Sequence, residues 1–177
     1  YKRMKLAYPT KNRVLAIARR QALKGFSELG ELSRRLAVID KSIEMMTFGQ
    51  DPVVQFVGAH KRHASKPSDR DVVRMYSEGT VFASTSQHEG FSLSPLEAMS
   101  CGCLVATTDA DGNYYCVNDV NCLKFDKKDM KGMAEGVARL LTDKDLQKRL
   151  VDGGYETAQQ FSDWDKVIDK LELVLGG

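Results

Sequence analysis

No stretch of this 177-residue chain approaches the ~20 apolar residues that cross a bilayer, so no membrane-spanning helix is expected. No secretory signal segment opens it at Tyr1. Tyr1 also stands where an initiator Met would, so the chain is expected to be a piece of something longer. Charge of one sign is lacking: 26 Lys and Arg face 24 Asp and Glu, a net charge of +2. That excludes a global nucleic-acid footprint and leaves any basic site local. Cysteine is scarce, and Cys101, Cys103, Cys116 and Cys122 form no Cys-x-x-Cys pair. No histidine lies at zinc-finger spacing from them, so they read as reduced structural thiols in a cytosolic setting, with a disulfide or metal framework as the alternative. No Gly-x-Gly-x-x-Gly follows the apolar run at Val14, which argues against a nicotinamide or flavin enzyme. No Gly-x-x-x-x-Gly-Lys-Ser/Thr occurs, which excludes a P-loop protein. Ser92, Ser94 and the three histidines make no nucleophile elbow.

What is present alternates between two textures. Arg13-Val14-Leu15-Ala16-Ile17-Ala18 reads as a buried strand, and Lys24-Gly25 opens a helix with Phe26, Leu29, Leu32 and Leu36 on one face. Residues 43–48 read as a second strand and Val53-Val54-Gln55-Phe56-Val57 as a third, stopped by Gly58. A basic loop follows with His60, Lys61, Arg62, His63 and Lys66; surface loop, phosphate-facing loop and metal site are its alternative readings. Ser68 with Asp71 starts a helix that runs to about Tyr76. Val81-Phe82-Ala83-Ser84 is a strand, the helix after Ser94 ends at Gly102, and Leu104-Val105-Ala106-Thr107 is another strand. Past Phe125, helices are expected from an Asp126 cap to Leu141, from Leu146 to Phe161, and from Val167 to Leu175. Strands alternating with helices imply an α/β domain with a parallel sheet covered on both faces. Ligands of such sheets sit at the carboxyl ends of the strands, so the loops holding Arg19, Gly58, Glu89 and Asp109 should converge.

The most informative segment runs from His88 to Met99. Ser94 reads as an N-cap, Pro95 as the first helical residue, and Glu97 as the acidic partner of a capping box. A helix start there offers N–H groups and a positive dipole end to phosphate. Glu97 therefore has two open readings, cap or ligand-binding carboxylate. Glu89, directly before Gly90, has no capping task. Arg19, Arg20 and Lys24 read either as a solvated basic turn or as a clamp for a diphosphate.

These residues resemble the C-terminal, nucleotide-sugar-binding half of a GT-B glycosyltransferase of family four, also called glycosyl transferases group 1. The resemblance runs from about Arg13 to Trp164. It rests on Arg19 and Lys24-Gly25, Phe56-Val57-Gly58, Ser86-Gln87-His88-Glu89-Gly90-Phe91, Pro95 to Gly102, Thr108-Asp109, and Phe161-Ser162-Asp163-Trp164. Glu89 and Glu97 stand eight positions apart, the Glu-x7-Glu signature of the group. Asp111-Gly112-Asn113-Tyr114-Tyr115 departs from the paired glycines common after Asp109, and Asp119 and Cys122 replace later glycines.

The resemblance implies that residues 1–177 form a single Rossmann-like donor-binding domain, one half of a GT-B fold, with a final helix at about 164–175. It implies that Arg19 and Lys24 hold the donor diphosphate and that Glu89 contacts the transferred sugar. Backbone N–H groups of Gly90, Phe91 and Leu93 would face sugar and phosphate. Ser92 and Gly58 belong to the same expected donor site, Ser94 sits by the phosphates, and Glu97 accepts from the ribose. It also implies retention of anomeric configuration, no metal or other cofactor, and a nucleotide-diphosphate sugar as substrate. An acceptor glycan or lipid would come through an N-terminal domain for which this chain has no room, so the isolated domain is expected to bind but not to transfer. No nucleic-acid partner is expected. The setting is cytoplasmic, with peripheral membrane association only through the full-length protein. The alternative is a non-catalytic nucleotide-sugar-binding module; a pyridoxal phosphorylase-like domain lacks a convincing Schiff-base lysine.

Overall fold

The computed structural model describes residues 12–162; the expected final helix at about 164–175 lies outside them. Among the described residues eleven strands and α-helices follow in order: β1 (Arg13–Ile17), α1 (Phe26–Ile39), β2 (Glu44–Gly49), β3 (His60–Ser65), α2 (Asp69–Glu78), β4 (Val81–Ser84), α3 (Leu93–Ser100), β5 (Leu104–Thr108), β6 (Leu123–Phe125), α4 (Met130–Thr142) and α5 (Lys144–Ser162). The six strands form one sheet in the order β3-β2-β1-β4-β5-β6. Every ladder is parallel. The chain winds outward from β1 in both directions, which puts the topological switch point between β1 and β4.

Strand periodicity splits the core into two layers. Val14, Ala16 and Ala18 point to one face, beneath Leu29, Leu32 and Leu36 of α1 and Met133, Val137 and Leu140 of α4. Leu15 and Ile17 point to the other, against Tyr76 of α2, Met99 of α3 and Ala158 of α5. β4 repeats the pattern, with Val81 and Ala83 on the first face and Phe82 on the second. Each fully buried large apolar side chain contributes roughly 1.5–3 kcal/mol of transfer free energy, so both faces are tightly specified.

The structure corrects four local expectations. Residues 53–57 are not a strand. Val53 and Val57 are 67% and 77% exposed, while Val54 is buried and Phe56 packs on Phe26 of α1 with ring centroids 4.9 Å apart. The apolar run thus serves a loop that lies on a helix. The basic segment after Gly58 is instead β3, an outer strand of the sheet, where polar residues are tolerated and protect the edge. The cap of α3 is Ser92, not Ser94, and its side chain makes no capping bond. The cap of α4 is Asp129, not Asp126, and it accepts from Gly132 N at 2.8 Å. The helix start at Ser68 is as expected: its hydroxyl accepts from Asp71 N at 3.2 Å.

All four cysteines are free thiols, and only Cys101 is not buried. Cys103 Sγ donates to the Tyr76 carbonyl at 2.9 Å, and burial pushes its thiol far above the ordinary range. Among the described residues no helix is long and apolar enough to cross a membrane.

Candidate functional site

The turn after β1 and the turn after β4 meet at the switch point. Gly25 adopts φ +67, and a Cβ there would fall 1.8 Å from the Thr85 carbonyl oxygen, so only glycine permits this approach. Thr85 Oγ1 donates to the Gly25 carbonyl at 2.8 Å, and Gln87 N donates to the Leu23 carbonyl at 2.9 Å. The turn after β5 closes the group from the other side. A Cβ on Gly112 would stand 2.8 Å from Glu89 Cβ, and Ser92 N donates to the Gly112 carbonyl at 3.2 Å. Asn113 holds that turn by donating to Thr107 Oγ1 at 2.8 Å and to the Thr108 carbonyl at 3.2 Å.

These turns enclose a cleft of about 200 Å³, with Arg19, Lys24, Ser86, Glu89 and residues 91–94 on its walls. Lys24 Nζ lies 2.8 Å from Glu89 Oε2. Ser86 Oγ donates to the other carboxylate oxygen at 2.6 Å, so Glu89 is held from both sides. The N-terminus of α3 opens onto the same cleft. Ser92 N–H is spent on Gly112 and Pro95 has none, so Leu93 and Ser94 supply the N–H groups of the first turn. Two cations, a helix start and a carboxylate suit a ligand that joins phosphate to hydroxyl groups.

The sequence-predicted residues divide. Arg19, Lys24, Glu89, Phe91, Ser92, Leu93 and Ser94 share the cleft wall. Gly90 adjoins it and is open, with nothing within 4 Å of where a Cβ would point. Glu97 lies further along α3 and is not a capping partner. Tyr76 of α2 donates to Glu97 Oε2 at 3.1 Å, and burial followed by the Glu97 charge raises the Tyr76 phenol above its usual range. Gly58 is not on the wall: at φ +107 its Cβ position would meet the Ser33 carbonyl of α1 at 2.4 Å, so its role is close packing. Asp109 turns away to Lys124, Oδ1 to Nζ 3.3 Å. Ser86, which orients Glu89, was missed as a site residue, although its place directly after a central strand could have marked it. Among the described residues no three His, Cys, Asp or Glu side chains gather to hold a metal ion.

Fold and cleft together define a doubly wound α/β domain with a polar cleft at its switch point. The sequence model for glycosyl transferases group 1 matches residues 2–157, and the chain belongs to that family. It is 28% identical over 156 residues to a Campylobacter jejuni N,N'-diacetylbacillosaminyl-diphospho-undecaprenol alpha-1,3-N-acetylgalactosaminyltransferase, covering 85% of this chain and 41% of that protein. The fold superposes on TarM with a TM-score of 0.84 at 16% identity, covering 100% of this chain and 37% of that one. It superposes on Anabaena HepE, solved with UDP-glucose, with a TM-score of 0.78 at 17% identity, covering 94% of this chain and 49% of that one. The chain thus spans about two fifths of the curated relative it matches.

Proposed function

We propose that this chain is the donor-binding half of a retaining glycosyltransferase of glycan biosynthesis, and that its cleft takes a nucleotide-diphosphate sugar. The observation that carries this reading is the shared cleft of Arg19, Lys24, Glu89 and the α3 N-terminus. Arg19 offers a planar fork and Lys24 a point charge to the diphosphate, and Leu93 and Ser94 N–H groups meet it from the helix. The same groups stabilise the charge that grows on the departing nucleotide. Glu89, held by Ser86 and Lys24, accepts from hydroxyls of the sugar. Tyr76 occupies Glu97 Oε2, which leaves Oε1 for the ribose.

In the transfer step the acceptor oxygen bonds to the anomeric carbon on the face from which the diphosphate leaves. The anomeric C–O bond breaks, and the acceptor proton passes to the departing diphosphate, so configuration is retained and no metal is required. The acceptor, a glycan or a lipid-linked sugar, is brought by the remainder of the full protein, on the cytoplasmic side. UDP-glucose in HepE and the diphospho-undecaprenol acceptor in the name of the Campylobacter relative support this class of donor and acceptor.

Calorimetric titration with UDP, GDP, ADP and dTDP tests the reading, on the wild type and on Glu97→Gln. Saturable binding of one nucleotide, weakened in the variant, is expected. At ~100 times its dissociation constant that nucleotide should add about 2.7 kcal/mol of stability. Absence of binding to this chain and to the full-length protein would overturn it.

A further inference from the structure

A second polar cluster lies on β2 and β3. Thr47 of β2 is fully buried. Its hydroxyl lies 2.9 Å from His60 Nε2 and 3.0 Å from His63 Nδ1 of β3. Two residues three apart on a regular strand would face opposite sides. Here Met45 pairs with His60 and Met46 with Arg62, and this register shift brings both rings to one side.

The outer contacts fix the direction of every bond. His63 Nε2 lies 2.9 Å from the Asp51 carbonyl, which can only accept, so Nε2 carries the hydrogen. Neutral His63 then accepts at Nδ1 from the Thr47 hydroxyl. At the other end Phe56 N, which can only donate, meets His60 Nδ1 at 3.4 Å. His60 therefore carries its hydrogen on Nε2 and gives it to Thr47 Oγ1. The relay runs from Phe56 N–H through His60, Thr47 and His63 to the Asp51 carbonyl, with both rings neutral.

The relay pins both ends of the loop between β2 and β3, and that loop grips the turn after β1. Arg20 N donates to Asp51 Oδ2 at 3.0 Å, and Arg20 Nη2 donates to the Val53 carbonyl at 2.8 Å. The Arg20 guanidinium lies 5.8 Å from the Phe26 ring centre, Phe26 packs on Phe56, and Phe56 meets His60 edge-on with centroids 5.4 Å apart. The contacts close a ring. Its neighbour in sequence is Arg19, on the cleft wall.

We propose that His60, Thr47 and His63 are positioning residues that hold the Arg19–Arg20 turn for diphosphate binding, and that protonating the relay releases it. This rests on the donor reading above. A proton added at His63 Nδ1 forces the Thr47 hydroxyl to accept twice and strands its own hydrogen in the interior. A proton added at His60 Nδ1 sets an N–H against the Phe56 N–H. The groups that bear on the rings are each other, Asp51 with its Arg20 partner, Lys61 and Arg62 on their own strand, the backbone of Arg62 included, and from α1 the uncharged Ser33, whose Oγ accepts from His60 N at 3.1 Å. Burial, and then the charge of His63, hold His60 below its ordinary value, in keeping with a relay built neutral.

Two-dimensional NMR of the whole chain tests this. Long-range 1H–15N spectra at pH 8 should show both rings as Nε2–H tautomers. On acidification the amides of Phe56, Arg20 and Arg19 should move along the His60 titration curve. Thr47→Val should leave the fold and break that correlation; should it fail to fold, His63→Gln takes its place. Nucleotide affinity measured with UDP, GDP, ADP and dTDP should fall about tenfold more steeply from pH 7.5 to 5.5 in the wild type than in the variant. The probe's own phosphate titrates in that range and is common to both proteins. Nδ1–H tautomers, or Arg19 and Arg20 amides that stay still while His60 titrates, would overturn the relay. Amides that follow His60 in a protein that binds no nucleotide, either as this chain or at full length, would leave the relay standing and reject the donor reading instead.

Discussion

Lys24 Nζ and Glu89 Oε2 meet at 2.8 Å across 65 positions of sequence. The pair joins the turn after β1 to the turn after β4, so one contact closes the switch point and presents both signs of charge to the cleft. The two charges have separable tasks in the proposed chemistry, one toward phosphate and one toward sugar.

Lys24→Met should weaken nucleoside diphosphate binding about tenfold or more, since a charge-assisted hydrogen bond contributes roughly 1.5–3 kcal/mol. Glu89→Gln should leave that affinity within about threefold but remove any gain on going from nucleotide to nucleotide sugar. Calorimetry with each nucleotide and its sugar conjugate separates them. Equal losses in both variants would reduce the pair to a structural tie.

Gly112 offers a test of the third turn. An Ala there would place Cβ 2.8 Å from Glu89 Cβ and from the Glu89 carbonyl oxygen. The crowding should cost about 1–3 kcal/mol and lower Tm by roughly 3–10 °C. The amides of Glu89 and Gly90 should shift most. An unchanged Tm with unshifted amides would show that the turn yields freely.

The central strands and flanking helices were legible because their periodicity and their burial agree. β1 buries Val14 and Leu15 on opposite faces, and α1 buries Leu29, Leu32 and Leu36 on one. The third strand was not legible. Val53 to Val57 has the apolar look of a strand, yet Val54 and Phe56 pack a loop on α1, while the polar His60–Ser65 pairs at an outer position. Local pattern likewise misplaced the α3 cap: Ser94 and Glu97 fit a capping box, but Glu97 is engaged by Tyr76, a partner 21 positions away. Arg19, Lys24 and Glu89 could be placed from the sequence because each follows a strand that flanks the switch point. Gly58 ends the loop that leads into the outer strand β3, and its glycine answers to helix packing instead.

Tyr76→Phe removes that Glu97 contact, together with a longer bond from the same hydroxyl to the Ser94 carbonyl at 3.5 Å. The ring stays packed between Phe48 and Phe82, with centroids 5.8 and 5.6 Å away, so the fold should lose only about 1 kcal/mol. Glu97 loses the donor that holds Oε2. Affinity for the bound nucleoside diphosphate should fall about threefold to tenfold, whereas affinity for inorganic pyrophosphate should not change. A parallel fall for pyrophosphate would mean that the tyrosine acts on the cleft wall and not on ribose recognition.

His60 gives stability a pH dependence of definite sign. Burial comes first among the causes that lower its pKa below 6.5, and the charge of His63 comes second. The folded state therefore binds fewer protons at this ring than the unfolded chain does. Its contribution is fully present above pH 6.5 and is lost as pH falls from there through the lower folded-state pKa. Urea unfolding at pH 7.5 and pH 5.5 should show the wild type less stable at the lower pH. His60→Gln keeps an amide donor for Thr47 but cannot take up the proton. Its curve should therefore be flatter across that interval, although it starts lower. Equal slopes in the two proteins would mean that the proton taken up in this range belongs to another group.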